Sequence, residues 1–235
     1  MIMQTGGQRH HKVSEVSAML SVSHAHEASP WLPWLMMPGF FSPIIVAASV
    51  LVASAMDRAV NPVHQSISLL MDGPGKGLLE WGLVLSGLCM LANAWGFLRG
   101  MANGIRLAFW QALLGAGLML SGIFMQHHLP TARQWALPSP WGPLTPIGLV
   151  HVGGATLLYC ALVGSCWAVF RLSDSAVVTS AAVLVGLCLA LLLVGFLVTA
   201  ATRGPSGLFE RFVAALGILW EFLVMTLGWR WVHHA

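Results

Sequence analysis

The chain has 235 residues, of which 57% are hydrophobic and 8% charged, with a formal net charge of +3. A soluble domain carries about 25% charged residues to solvate its surface, so this composition excludes a water-soluble globule and points to an integral membrane protein. The positive charge is dispersed, no basic stripe with interleaved aromatics occurs, and nucleic acid is not expected as a partner.

Residues 1–32 form a polar tail without the compact apolar core of a secretory signal. A disordered segment is expected there, with the first span acting as its own anchor. From 33 to 235 the chain reads as one transmembrane domain. A helix crossing a bilayer needs about 20 predominantly apolar residues. Six segments meet that requirement: roughly 33–56, 78–98, 105–126, 147–170, 176–201 and 208–232. None alternates in polarity as a barrel strand would, and a helix satisfies its own backbone donors and acceptors in hydrocarbon. The expected fold class is all-α, an integral membrane six-helix bundle.

Between the first two spans lies NPVHQSISLLMDGPGKGLLEWG, residues 61–82. Asn61 can cap a helix and Pro62 is tolerated in its first turn. Val63, Ile67, Leu70 and Met71 then recur at helical spacing, with His64, Gln65, Ser68 and Asp72 mostly on other faces. Gly73-Pro74-Gly75 ends the run. This pattern predicts a short interfacial amphipathic helix over 61–72. Its polar face would either cap the bundle mouth, with Ser68 and Asp72 inward, or face water.

An even number of crossings leaves both termini on one side. That side carries Arg9, Lys12, Arg99, Arg106, Arg171 and Arg230, against Arg58, Lys76, Arg133, Arg203 and Arg211 on the other. The balance is nearly even, but Arg99, Arg106 and Arg171 flank tight turns, which favours cytoplasmic termini. The loops opposite, at 57–77, 127–146 and 202–207, are richer in polar residues. A site is expected on that face.

Three stretches carry a resemblance. NPVHQSISLLMDGPGKGLLEWGLVLSGLCMLANAWG resembles the segment after the first helix in the membrane family called domain of unknown function 998. There a Pro-x-x-x-x-Ile-Ser-x-Leu pattern precedes a Gly-rich turn, matched here by Pro62, Ile67, Ser68 and Leu70. TPIGLVHVGGATLLYCALV is similar to that family's fourth span, which opens with a His, here His151. GPSGLFERFVAALGILWEF resembles its last span, with a Gly-Leu-x-x-Arg element at Gly207, Leu208 and Arg211. The resemblance runs over residues 35 to 232. It implies a six-helix protein of a bacterial or archaeal plasma membrane and brings no established reaction with it.

Several groups could carry chemistry. His64, His127, His128 and His151 lie at one membrane level with Asp57, Asp72, Glu80 and Glu210. Three His around an open position is what a catalytic zinc requires, yet no HxxxH or HExxH pair is present, and adjacent His127 and His128 point about 100° apart on a helix. Interfacial histidines satisfied by water or loop carbonyls account for the same pattern. The tail residues His10, His11, His24, His26, His233 and His234 could hold a metal weakly or be incidental.

At the start of the last span, Ser206 offers a cap and Glu210 suits the helix dipole. Arg203 and Arg211 would fit a phosphate headgroup, or would snorkel to water. Deep in that span, Glu221 is costly in hydrocarbon and needs a partner or a cavity. Asn93, Gln111, Thr156 and Ser165 are the polar residues in other spans that could meet it. Cys89, Cys160, Cys166 and Cys188 lie in apolar runs without metal or redox spacing. The eleven tryptophans read as a headgroup-level belt.

The leading reading is a non-catalytic membrane protein binding membrane lipids or other membrane proteins. Its headgroup-level pocket would be edged by Ser68, Asp72, Glu80, His151, Arg203, Glu210 and Arg211. A lipid-directed, metal-dependent hydrolase using the outer His and carboxylates is the alternative. A proton-coupled transporter using Glu221 is the other, although repeated halves with broken helices are not evident. No cofactor is assigned.

Overall fold

The computed structural model describes residues 31–101, 103–124, 146–202 and 204–233. Six α-helices run through them: α1 (Leu32–Met56), α2 (Lys76–Gly100), α3 (Ile105–Ile123), α4 (Pro146–Leu172), α5 (Ala176–Ala201) and α6 (Ser206–His233). All six are long and apolar enough to cross a membrane, and the described residues contain no strand. The protein is an all-α membrane bundle. The tail at 1–30 lies outside the described residues.

Each helix packs on the next in the sequence, and α6 returns to pack on α1, so the bundle closes as a ring. Apolar side chains do not drive helices together in lipid, so close backbone approach must contribute. Gly87 and Gly115 show this at the α2–α3 contact. A side-chain carbon on Gly87 would stand 2.6 Å from the Gly115 carbonyl, and one on Gly115 would stand 2.7 Å from the Gly87 carbonyl. Between α3 and α4 a side-chain carbon on Gly117 would stand 2.8 Å from the Gly154 carbonyl, and one on Gly154 would stand 2.8 Å from Leu120. The ring is uneven. Along α5, Ala182, Leu189 and Ala200 are buried while Val177, Leu184, Leu187 and Leu191 are exposed, so this helix mostly faces lipid.

Trp31, Trp34 and Trp81 are exposed near span ends, as an interfacial belt requires. At the opposite level the Arg99 guanidinium lies 4.7 Å from the Trp95 ring. Inside α1, Pro43 interrupts the hydrogen-bond ladder, and Ser86 of α2 donates its hydroxyl to the Ser42 carbonyl at 3.1 Å.

The segment 61–72 differs from the expected α-helix. Residues 62–64 form a turn with a bend at 65, and a 3-10 helix spans Ile67–Asp72. Asn61 Oδ1 accepts from the Val63 amide at 2.9 Å, and the Gln65 side chain accepts from the Asn61 amide at 2.5 Å. The carbonyls of residues 62–65 receive donors from α6, and this competes with α-helical pairing in their own segment. Leu69, Leu70 and Met71 are consecutive and all buried, packed with Ala53, Val60 and Leu79. A single α-helical stripe would not bury three neighbours in a row.

The α2–α3 contact gives a stability prediction. Gly87→Val should lower the melting temperature of the detergent-solubilised protein by the equivalent of about 1–3 kcal/mol. Gly77→Ala, whose added carbon meets nothing within 4 Å, should change it by about 0.5 kcal/mol or less.

Candidate functional site

The first turn of α6 grips the loop after α1. Gly207 is in contact with the Gln65 backbone, where any side chain would collide. This close approach lets the Leu208 amide donate to the Val63 carbonyl at 3.0 Å. Ser206 Oγ donates to the His64 carbonyl at 3.2 Å. Arg211 Nη1 donates to the carbonyls of Pro62 and Gln65 at 2.9 Å each, and to Gly207 at 3.1 Å. Glu210 Oε2 accepts from the Ile67 amide at 2.6 Å. The guanidinium offered in sequence to a phosphate is thus engaged with backbone carbonyls. Arg203 lies outside the described residues.

Behind this clamp a cavity of about 140 Å³ runs down the inside of the bundle. Its walls come from α1, the 3-10 helix, α2, α3, α4 and α6, and are mostly apolar: Val46, Leu83, Met90, Leu118, Leu158 and Ile218 are among them. Polar groups gather at the clamp end, where Ser68, His151, Tyr159 and Glu210 line it. Tyr159 Oη lies 3.5 Å from Glu210 Oε1, which it meets as donor.

His151 is buried at the start of α4, and its Nδ1 is 3.0 Å from the carbonyls of both Ser121 and Phe124. Carbonyls only accept, so Nδ1 carries the proton and serves the last turn of α3, whose carbonyls lack intrahelical donors. A second recess of about 130 Å³ shares Ser68, His151, Ala155, Tyr159 and Glu210 and adds Leu193, Phe196 and Leu197 of α5. The clamp end of the chamber therefore adjoins a recess between α4 and α5.

At the other end lies Glu221. It follows Glu210 by about three helical turns, roughly 16 Å along the axis, so both carboxyls fall on one face of α6. Ala214 and Gly217 lie between them on the cavity wall. Glu221 is 3% exposed, and its Oε2 accepts from Gln111 Nε2 at 2.9 Å. Gln111 Oε1 in turn accepts from Asn93 Nδ2 at a long 3.5 Å. Beside this chain the Trp220 indole donates to Ser165 Oγ at 2.7 Å. Glu221 Oε1 and Asn93 Oδ1 are buried with no hydrogen-bond partner among the described residues.

The structure brings Ser68, His151 and Glu210 together at one cavity. Asp72 and Glu80 are partly buried and line neither recess. His64 is exposed and takes part through its carbonyl. His127 and His128 lie outside the described residues, among which no three His, Cys, Asp or Glu side chains converge to hold a metal. Of the residues offered to Glu221, Gln111 meets it directly and Asn93 through Gln111; Ser165 lies beside it while bonded to the Leu162 carbonyl and to Trp220, and Thr156 bonds to the Val152 carbonyl of its own helix. Sequence reasoning missed Tyr159, the single tyrosine of the chain. It lies on the stripe His151, Ala155, Tyr159, Leu162 of α4, and that spacing was the available signal.

Removing the clamp should loosen the loop before it unfolds the bundle. Arg211→Ala leaves two loop carbonyls without their donor. It should cost about 1–3 kcal/mol and expose residues 61–66 to a broad-specificity protease under conditions where the wild type resists cleavage.

No curated protein and no solved structure matches this chain. Residues 40–227 match the family described as "Protein of unknown function (DUF998)". That span takes in the clamp, the chamber and both buried carboxyls, and the chain belongs to the DUF998 family.

Proposed function

We propose that this is a lipid-binding protein of the cell membrane, holding the first carbons of one apolar chain inside the bundle with the polar end of the lipid at the clamp. The observation that carries this reading is the polar cluster at the clamp end of a mostly apolar cavity. Its walls are hydrocarbon-like, and Ser68, His151, Tyr159 and Glu210 are collected at one end. Few precisely placed polar groups on an otherwise apolar pocket fix a ligand's orientation.

The chemistry of that end selects the headgroup. The Glu210 carboxyl stands at that end, and Arg211, the cation beside it, already donates through Nη1 to backbone carbonyls. A neutral, hydroxyl-bearing headgroup suits that end better than a phosphate, which would meet the Glu210 carboxyl. The recess at α5 offers a path from the bilayer, because its added walls, Leu193, Phe196 and Leu197, belong to the helix that mostly faces lipid.

A photoactivatable monoacylglycerol tests the reading. In membranes it should label residues of α4 and α6 that line the cavity. Ala214→Phe, which fills the chamber from α6, should cut that labelling by about tenfold or more. Labelling that survives this substitution, or that is confined to the exposed face of α5, would remove the lipid from the bundle interior.

We also propose that both termini are cytoplasmic, because Arg99, Arg106 and Arg171 flank the short turns on that side. Reporter fusions after Ala235 and within 131–140 should give opposite signals, with the cytoplasmic signal from the first. The reverse result would invert the orientation.

A further inference from the structure

The chamber has a second polar end that a lipid tail does not satisfy. Glu221 lines a partly open, mostly apolar space, and its Oε1 is buried with no hydrogen-bond partner among the described residues. Met90, Leu114, Leu118, Leu162 and Ile218 line the chamber with it. No Lys or Arg is found among the described lining residues. A carboxyl in such surroundings must be neutralised, by a proton or by a cation held against it.

The neighbouring polar groups increase the demand for donors. Gln111 gives Glu221 one hydrogen bond, and its own oxygen receives a long one from Asn93. Two oxygens of this chain, Glu221 Oε1 and Asn93 Oδ1, are left without a partner among the described residues. Ser165, the nearby hydroxyl on α4, is already engaged as donor to the Leu162 carbonyl and as acceptor from Trp220. The contrast with Glu210 is direct: both of its oxygens are met, by Ile67 and Tyr159.

We infer that the inner end of the chamber is a binding site for a small apolar cation, an alkylammonium ion, whose charged head contacts Glu221 and whose chain lies along the apolar wall. An ammonium supplies three donors and no acceptor, which is the complement of a cluster with surplus oxygens. The chamber, at about 140 Å³, is close in size to an engineered apolar cavity of about 150 Å³ that takes benzene. The ligand is therefore a short chain and not a polycyclic cation. Binding is an exchange. A proton on Glu221 leaves for solvent as the ammonium arrives, and the carboxylate and ammonium remain as a neutral pair. The other titratable groups of the chamber, His151 and Tyr159 on α4 and Glu210 on α6, line its far end. Cys166, buried in the core on α4, is a titratable group close enough to Glu221 to feel its charge. The described lining residues from α1, α2, α3 and the 3-10 helix are not titratable.

This inference rests on the chamber and not on a lipid occupant, and its test is separate. The full chain in nanodiscs at pH 7 is titrated calorimetrically with n-hexylammonium chloride and, in parallel, with 1-hexanol. Two buffers of different ionisation enthalpy report the protons released. The expected result is saturable binding of hexylammonium with about one proton released per ligand, and weaker binding of hexanol with none. Glu221→Gln should weaken hexylammonium binding by about tenfold or more and abolish proton release, with hexanol unaffected. Ala214→Phe, which keeps the carboxyl but narrows the chamber, should weaken both ligands and keeps the test open if Glu221→Gln fails to fold. Equal binding of the two ligands, no binding of hexylammonium, or an unchanged isotherm in Glu221→Gln would each overturn the site. Monoacylglycerol labelling that persists in Glu221→Gln would leave the lipid reading standing while the cation site falls.

Discussion

Backbone carbonyls that do not pair within a helix need donors from elsewhere, and the loop after α1 has four in succession. Those of Pro62, Val63, His64 and Gln65 receive theirs from the first turn of α6, through Arg211, the Leu208 amide and Ser206. Gly207 is the condition for this, because a side chain there would hold the loop away. Glu210 completes the join through the Ile67 amide. The 3-10 helix then presses Leu69, Leu70 and Met71 into the bundle, and Ile67, Ser68 and Met71 become part of the chamber wall. The position of the cavity's polar end follows from one turn of helix.

The spans were legible in the sequence because bilayer thickness imposes a length and a polarity that local composition displays directly. Glu221 was legible for the related reason that a carboxyl in hydrocarbon needs a partner, and Gln111 is that partner. The loop was not. Its Val63, Ile67, Leu70, Met71 spacing fits an α-helix, but the donors that capture its carbonyls lie more than a hundred residues further along. Local periodicity carries no trace of such long-range competition. The carbonyl partners of Arg211 were hidden for the same reason: a guanidinium near the membrane surface suits phosphate, water or carbonyls equally well until the fold brings the carbonyls to it. Tyr159 was overlooked because a single tyrosine among many apolar residues reads as packing.

On α6 the helix that fastens the loop also builds the chamber. Glu210 and Glu221 share one face, with Ala214 and Gly217 between them. Small residues there leave room where larger ones would close the cavity. One carboxyl is fully engaged by protein donors and the other is only half engaged. The same residue type is thus used once as a structural tie and once as an open valence inside the bundle.

The ring closed by α6 on α1 has a consequence for biosynthesis. Chains emerge from the ribosome in order, and domains generally form from the N-terminal side first. Here α1 and the loop that follows it enter the membrane before the residues that secure them exist. Until the final helix is inserted, the carbonyls of 62–65 must find other donors, and the gap beside α1 stays open. Assembly therefore waits on the last span. A nascent chain stalled before Ser206 would present an unlatched loop and an unsealed seam, which is the kind of intermediate that membrane quality control can distinguish from the finished protein.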